Sequence, residues 1–129
     1  MTATTGSELL LVDSSGWLEY LTEDSKAANF AAYIEGPTPL LVPAIVLYEV
    51  FKILSRDRSK TEADRFLSHA FRQVLVPLDD SLALAAARVS LDFRLAMADA
   101  IIYATAQALQ APLITSDVAF RGLPNVTIV

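Results

Sequence analysis

Four carboxylates stand in apolar company. Asp13 closes the run Leu9-Leu10-Leu11-Val12, Glu49 interrupts Ala44-Ile45-Val46-Leu47-Tyr48, Asp99 lies between Leu95 and Ile102, and Asp117 follows Pro112-Leu113-Ile114-Thr115-Ser116. An ionised carboxylate taken out of water without a partner is costly, so such groups pair with a base, gather around a cation or stay protonated. Bases are scarce beside them: Lys52 and Arg56 follow Glu49 at helical spacing, and around Asp13 and Asp99 only Arg94 is near. A shared metal ion is the simplest resolution. With no cysteine and a single histidine, His69, its ligands would be oxygens, which favours a hard cation such as Mg2+ or Mn2+. Such an ion takes one or two carboxylates directly, keeps several waters and leaves room for phosphate oxygens. The fitting reaction is phosphodiester hydrolysis by metal-activated water attacking phosphorus in line, with Lys52 or Arg56 anchoring the substrate backbone. Clustered acids also repel, so without metal at least one should ionise only at raised pH. The competing reading is that some of the four are ordinary caps. Asp13 before Ser14-Ser15 suits a turn, Asp117 can cap a short helix, and Asp99 in a first helical turn would gain from the macrodipole.

The elements that must position these acids can be read from the pattern. Leu9 to Val12 is a short buried strand, and Asp13-Ser14-Ser15-Gly16 is a turn that starts a helix at about Trp17. A helix from Lys26 to Glu35 and the breaker Gly36-Pro37-Thr38-Pro39 lead to a second strand, Leu40 to Val42. Pro43 suits the first turn of a helix that carries Leu47, Val50, Phe51 and Leu54 toward the core and ends near Ser55, with Glu49, Lys52 and Arg56 on one face. Ser59-Lys60-Thr61-Glu62 matches a capping box and opens a helix to Arg72, followed by a strand from Val74 to Leu78. Asp79 or Asp80 caps the next helix, which runs to about Asp92. Met97 to Leu109 is apolar or small nearly all round, as a buried helix should be, and holds Asp99 in its first turn. Strands at Leu113 to Thr115 and Val126 to Val129 complete the series. Short strands alternating with helices imply a parallel sheet covered on both faces. In such a sheet the functional crevice lies beyond the carboxyl ends of the strands, where Asp13 and Asp117 fall. Separations of 36, 50 and 18 residues make the cluster a product of folding rather than a local loop.

Composition bounds the rest. At 129 residues and 53% hydrophobic content the chain is expected to form one domain, residues 1–129, with the small polar residues 1–7 fraying. No apolar stretch approaches the roughly 18 residues that span a bilayer, and Glu8 rather than a basic segment precedes the first apolar run, so a soluble, uncleaved, cytoplasmic protein is expected. The net charge of -5 opposes a polyanionic partner, yet residues 52–72 hold six basic and three acidic side chains and form a basic flank. Those charges could equally do no more than solvate a helical face. Cations bound by the four acids would offset part of the remaining negative charge. The glycines form no phosphate-binding pattern, and His69, far from the four motifs, suits a surface or half-buried position, so dinucleotide and serine-hydrolase chemistry fall away.

The ordered set of motifs carries a resemblance. An apolar strand followed by Asp13-Ser14-Ser15, then Pro43-x5-Glu49-Val50, then Ala98-Asp99-Ala100-x-Ile102-x-Ala104-Thr105-Ala106, and finally Leu113-Ile114-Thr115-x-Asp117 with Phe120 together resemble the PIN-domain ribonucleases, and among them the VapC-type toxins of prokaryotic toxin-antitoxin modules. The resemblance covers essentially the whole chain. It implies a three-layer α/β/α PIN-like fold around a mostly parallel sheet of about five short strands, and Mg2+- or Mn2+-dependent endonucleolytic cleavage of RNA. It implies a metal cluster of Asp13, Glu49, Asp99 and Asp117, with Asp117 the more variable position and able to act through water. Ser15 and Thr115 match small hydroxyl positions beside that site, either as direct participants or as turn and cap hydroxyls. A homodimer is implied, as is an antitoxin whose carboxyl-terminal segment lies in a groove near the site, where an antitoxin arginine competes with metal or substrate. Trp17, Tyr20, Phe30 and Tyr33 could line that groove or belong to the core.

A different class of function stays open at this level: a catalytically silent PIN-like module that binds RNA or protein. Intact acids at all four positions favour the enzyme, since a scaffold has no use for their repulsion. A phosphate-receiving signalling domain also uses strand-end carboxylates, but it would want paired acids after the first strand and a lysine after a late one; Ser14-Ser15 and Thr115-Ser116-Asp117 supply neither.

Overall fold

The computed structural model describes residues 8–129, so the fraying expected of residues 1–7 lies outside the described residues. Five strands, β1 (Leu10–Val12), β2 (Leu40–Pro43), β3 (Val74–Val76), β4 (Leu113–Thr115) and β5 (Val126–Ile128), form one sheet in the order β3-β2-β1-β4-β5. Every pairing is parallel. The helices are α1 (Ser14–Leu21), α2 (Ala27–Ile34), α3 (Ala44–Asp57), α4 (Lys60–Ala70), α5 (Asp80–Phe93) and α6 (Met97–Ala108), with a 3-10 turn at Val118–Phe120. The steps β1 to β2 and β2 to β3 move one way across the sheet, and the return from β3 to β4 runs the other way. Right-handed crossovers therefore put α1 to α4 on one face and α5 with α6 on the other, giving the three-layer α/β/α arrangement. Strand order reverses beside β1, between its carboxyl end and that of β4.

The core explains why these segments hold. Leu11, Val12, Leu40 to Val42, Leu113 and Ile114 are buried, as fully covered parallel strands require. Helix α6 is buried continuously from Ala100 to Ala106, matching its all-round apolar sequence. Trp17 and Phe30 are fully buried, so they belong to the core; Trp17 meets Phe66 and His69 edge to face, tying α1 to α4. His69 is half-buried.

Several boundaries differ from the sequence reading. Helix α1 starts at Ser14 rather than at about Trp17, because Asp13 caps it and accepts the Gly16 N–H at 2.9 Å. Gly16 is thus inside the helix, and glycine is needed there for space: a Cβ would fall 2.6 Å from both Phe30 Cε1 and Val12 Cγ1. Pro43 ends β2 and precedes α3 instead of lying in its first turn, and α3 continues to Asp57. Its buried stripe is Val46, Val50 and Leu54 at i+4 spacing, so Phe51 falls on the flank of that stripe and is exposed. Strand β3 stops at Val76, which pairs with Pro43, the last residue of β2, and is followed by Pro77, which has no N–H to give to the ladder.

Candidate active site

Asp13 and Asp117 follow β1 and β4, the two strands whose carboxyl ends flank the reversal of strand order, where open parallel sheets place their ligand crevice. Asp13 is buried, with four donor contacts on its two oxygens. The Gly16 N–H donates to Oδ1, Ser15 Oγ donates at 2.9 Å to both oxygens, and the buried Thr115 Oγ1 donates to Oδ2 at 2.6 Å. Burial pushes the Asp13 carboxyl above its usual range, these hydrogen bonds oppose that rise, and the charge of Asp117 adds to it. The Thr115 hydroxyl also accepts the Asp117 N–H at 2.9 Å, and Asp117 Oδ1 accepts the Ala119 N–H at 2.9 Å. One threonine therefore sets both strand-end acids.

Glu49 reaches the same place from the middle of α3. Ser14 Oγ, in the first turn of α1, donates to Glu49 Oε1 at 2.6 Å, a bond across 35 positions of chain. Ser14 is the supporting residue that sequence reasoning missed; its neighbour Asp13 was the only local hint, since the partner is brought by folding. Asp99 is half-buried in the first turn of α6, and among the described residues no hydrogen bond reaches its carboxylate. Desolvation, followed by the charges of Asp117, Asp13 and Glu49, pushes it up to about 6. Asp99 thus feels all three other acids and has no donor among the described residues to offset them, whereas Asp13, raised by burial and by Asp117, has several.

The remaining candidates separate. Ser15 and Thr115 serve Asp13 as hydroxyl donors rather than standing free beside it. Lys52 and Arg56 border a shallow cleft with Tyr48, Glu49 and Ile53. Arg56 is held by Asp57 through two bonds of 2.7 and 2.9 Å. Lys52 donates to the Tyr48 hydroxyl at 3.3 Å. Among the described residues no cation pairs with any of the four acids, and Arg94, the base nearest Asp99 in the sequence, forms no ion pair. The basic flank is also partly self-neutralised, by Arg56 with Asp57, Arg58 with Glu62 and Lys60 with Asp64.

Oxygen donors alone surround the cluster, which suits a hard divalent ion. Among the described residues no three His, Asp or Glu side chains form a ready-made metal cage. A Mg2+ ion binds one or two carboxylates directly and reaches others through water, so it does not require three of them in direct contact. Among the described residues no helix is long and apolar enough to cross a membrane.

A parallel sheet with capped acids at its switch point defines a class of α/β domain whose chemistry sits on carboxylates. The family model of the PIN domain matches residues 10–125, and the chain belongs to that family. Solved structures share its fold. A toxin-antitoxin complex from Klebsiella pneumoniae aligns with TM-score 0.77 and 23% identity over 92% of this chain and 95% of that one. VapBC2 from Rickettsia felis, bound to a DNA fragment from its promoter, aligns with TM-score 0.71 and 14% identity over 94% and 97% of the two chains. The Sarcin-Ricin loop cleaving toxin VapC20 of Mycobacterium tuberculosis aligns with TM-score 0.70 and 16% identity over 88% and 91%. No curated protein sequence matches the chain.

Proposed function

We propose that this chain is a Mg2+- or Mn2+-dependent endoribonuclease acting as the toxin of a toxin-antitoxin pair. The observation that carries the reading is the placement of Asp13 and Asp117 at the carboxyl ends of β1 and β4, joined through Thr115, with Glu49 tied to the same helix start through Ser14. Membership of the PIN family and likeness to toxin chains, one of them an RNA-cleaving toxin by its description, support the substrate class. Asp13, Glu49, Asp99 and Asp117 would hold the ion. When bound it supplies the activation of water and the neutralisation of charge at phosphorus. The chain's own residues prepare the site. Thr115, Ser15 and the Gly16 N–H aim Asp13 and oppose the rise that burial imposes on it, Ser14 fixes one oxygen of Glu49, and Thr115 with Ala119 sets Asp117. Lys52, free of any ion pair, is the cation available to an RNA phosphate beside Glu49.

Two partners belong to this reading. A groove of about 380 Å3 between α1, α2 and α4, lined by Tyr20, Glu35, Arg65 and His69 among others, is a candidate seat for an antitoxin segment, although none of the four acids lines it. There Tyr20 donates to Glu35 at 2.6 Å, and burial together with Glu35 raises its hydroxyl to about 12. Of the four aromatic residues considered for such a groove, only Tyr20 lines it; Tyr33 packs on the core with Trp17 and Phe30. A homodimer is supported by exposed apolar side chains on the edge strand and the α5–α6 layer, among them Leu75, Leu84, Leu91 and Met97.

The test is cleavage of a mixed cellular RNA pool by the purified, antitoxin-free protein with Mg2+, Mn2+ or EDTA, beside Asp99→Asn. The expected result is cutting that needs the metal and vanishes in the variant. Folded protein that cuts nothing with either ion would overturn the enzyme and leave a silent binding module.

A further inference from the structure

Tyr48 is a large aromatic residue left in solvent at a position where the fold had other uses for it. It directly precedes Glu49 on α3, and 58% of it is exposed although α3 buries Val46 and Val50 on either side. Lys52, one turn on, places Nζ 3.3 Å from the Tyr48 oxygen and 5.2 Å from the ring centre. Those distances put the ammonium toward the hydroxyl end of the ring, so it does not cover the ring centre. Tyr48, Glu49, Lys52, Ile53 and Arg56 border one cleft, which places this ring and this cation beside Glu49.

Charge alone supplies little attraction for RNA here. The chain is acidic, and three bases of the 52–72 segment are tied to Asp57, Glu62 and Asp64. A nuclease with a net charge of -5 gains from binding energy that does not depend on net charge, and stacking of an unpaired base on an exposed aromatic ring provides it. We infer that Tyr48 is the stacking platform for an unpaired base of the RNA substrate, beside the phosphate that Lys52 holds at the edge of the acid cluster. The inference rests on the ribonuclease reading and names how that site engages its substrate. A cation at the hydroxyl end orients the ring and also bridges to the phosphate flanking the stacked base.

The experiment uses the full chain with Mg2+ and a short single-stranded RNA carrying a cleavage site mapped from the RNA pool. Tyr48→Ala should raise KM roughly five- to a hundredfold, the loss expected for one stacked base, with kcat moving less than about twofold. Tyr48→Phe and Tyr48→Trp, which keep a ring, should restore KM. Binding as a function of salt separates the two side chains. Lys52→Ala should lower the slope of log affinity against log salt by about 0.7, and Tyr48→Ala should leave that slope in place. Cutting by the parent with an unchanged KM in Tyr48→Ala overturns this inference and leaves the nuclease standing. A KM that Tyr48→Phe or Tyr48→Trp fails to restore also overturns it. No cutting by the parent overturns both.

Discussion

Replacing Asp99 by Asn should make the metal-free protein more stable. The parent carboxyl is raised from 3.8 to about 6, first by desolvation and then by Asp117, Asp13 and Glu49. Between those two values the folded state binds more protons than the unfolded one, so the stability penalty grows as pH rises through the window and is complete above it. A shift of about two units corresponds to about 3 kcal/mol, and solvent screening of a half-buried group reduces that to about 1–2 kcal/mol. No hydrogen bond reaches Asp99 among the described residues, so the amide strands no partner. In a domain of 129 residues the gain is about 3–8 °C in Tm. Thermal and urea unfolding in EDTA at about pH 7.5 and about pH 4 measure it. The gap between variant and parent should be full at the higher pH and close at the lower. Adding Mg2+ should stabilise the parent more than the variant, because binding acts through the same four acids. A variant less stable than the parent at about pH 7.5, or a gap that ignores pH, would refute the claim that the other acids bear on Asp99.

Thr115→Val keeps the shape of a buried side chain but removes the donor to Asp13 and the acceptor for the Asp117 N–H. Urea unfolding should show a loss of about 1.5–3 kcal/mol, recovered by Thr115→Ser; a loss below about 0.5 kcal/mol would show that Thr115 only fills space. For the homodimer, sedimentation of the parent should give two chains, and Leu84→Glu with Met97→Glu should give one. A parent that stays monomeric at every concentration tested would remove that assembly from the reading.

The acids were legible because a carboxylate is conspicuous in a continuous apolar run, and central parallel strands such as β1 and β4 are such runs. Helix α6 was legible for the same reason. What the pattern hid was anything decided by a distant contact. Gly16 looks like a turn residue until Phe30 is packed on it, and only then does its place within α1 make sense. Phe51 looks like core on hydrophobicity alone, but the sheet accepts a stripe at i+4 spacing and Phe51 stands off it. Ser14 could not be identified without Glu49, which lies 35 positions away. Arg56 stood on the right face for substrate, yet the adjacent Asp57 takes its guanidinium, an outcome of side-chain geometry that spacing does not encode.

The caps read from the sequence are present at Asp13 and Asp117, and they are compatible with the functional role proposed for these acids. Asp13 caps α1 and Asp99 sits in the first turn of α6, so each lies at the positive end of a helix where unpaired N–H groups favour negative charge. Asp117 accepts the Ala119 N–H, and Glu49, which has no helix end to help it, takes a hydroxyl from Ser14 instead. Backbone dipoles and hydroxyls thus keep four acids close without a neutralising base. A lysine or arginine in that role would occupy the oxygens a divalent ion needs; N–H and O–H donors instead hold Asp13, Glu49 and Asp117 in place, and Asp99 has the helix end alone. Capping is therefore the means by which this fold can keep its site both negative and open.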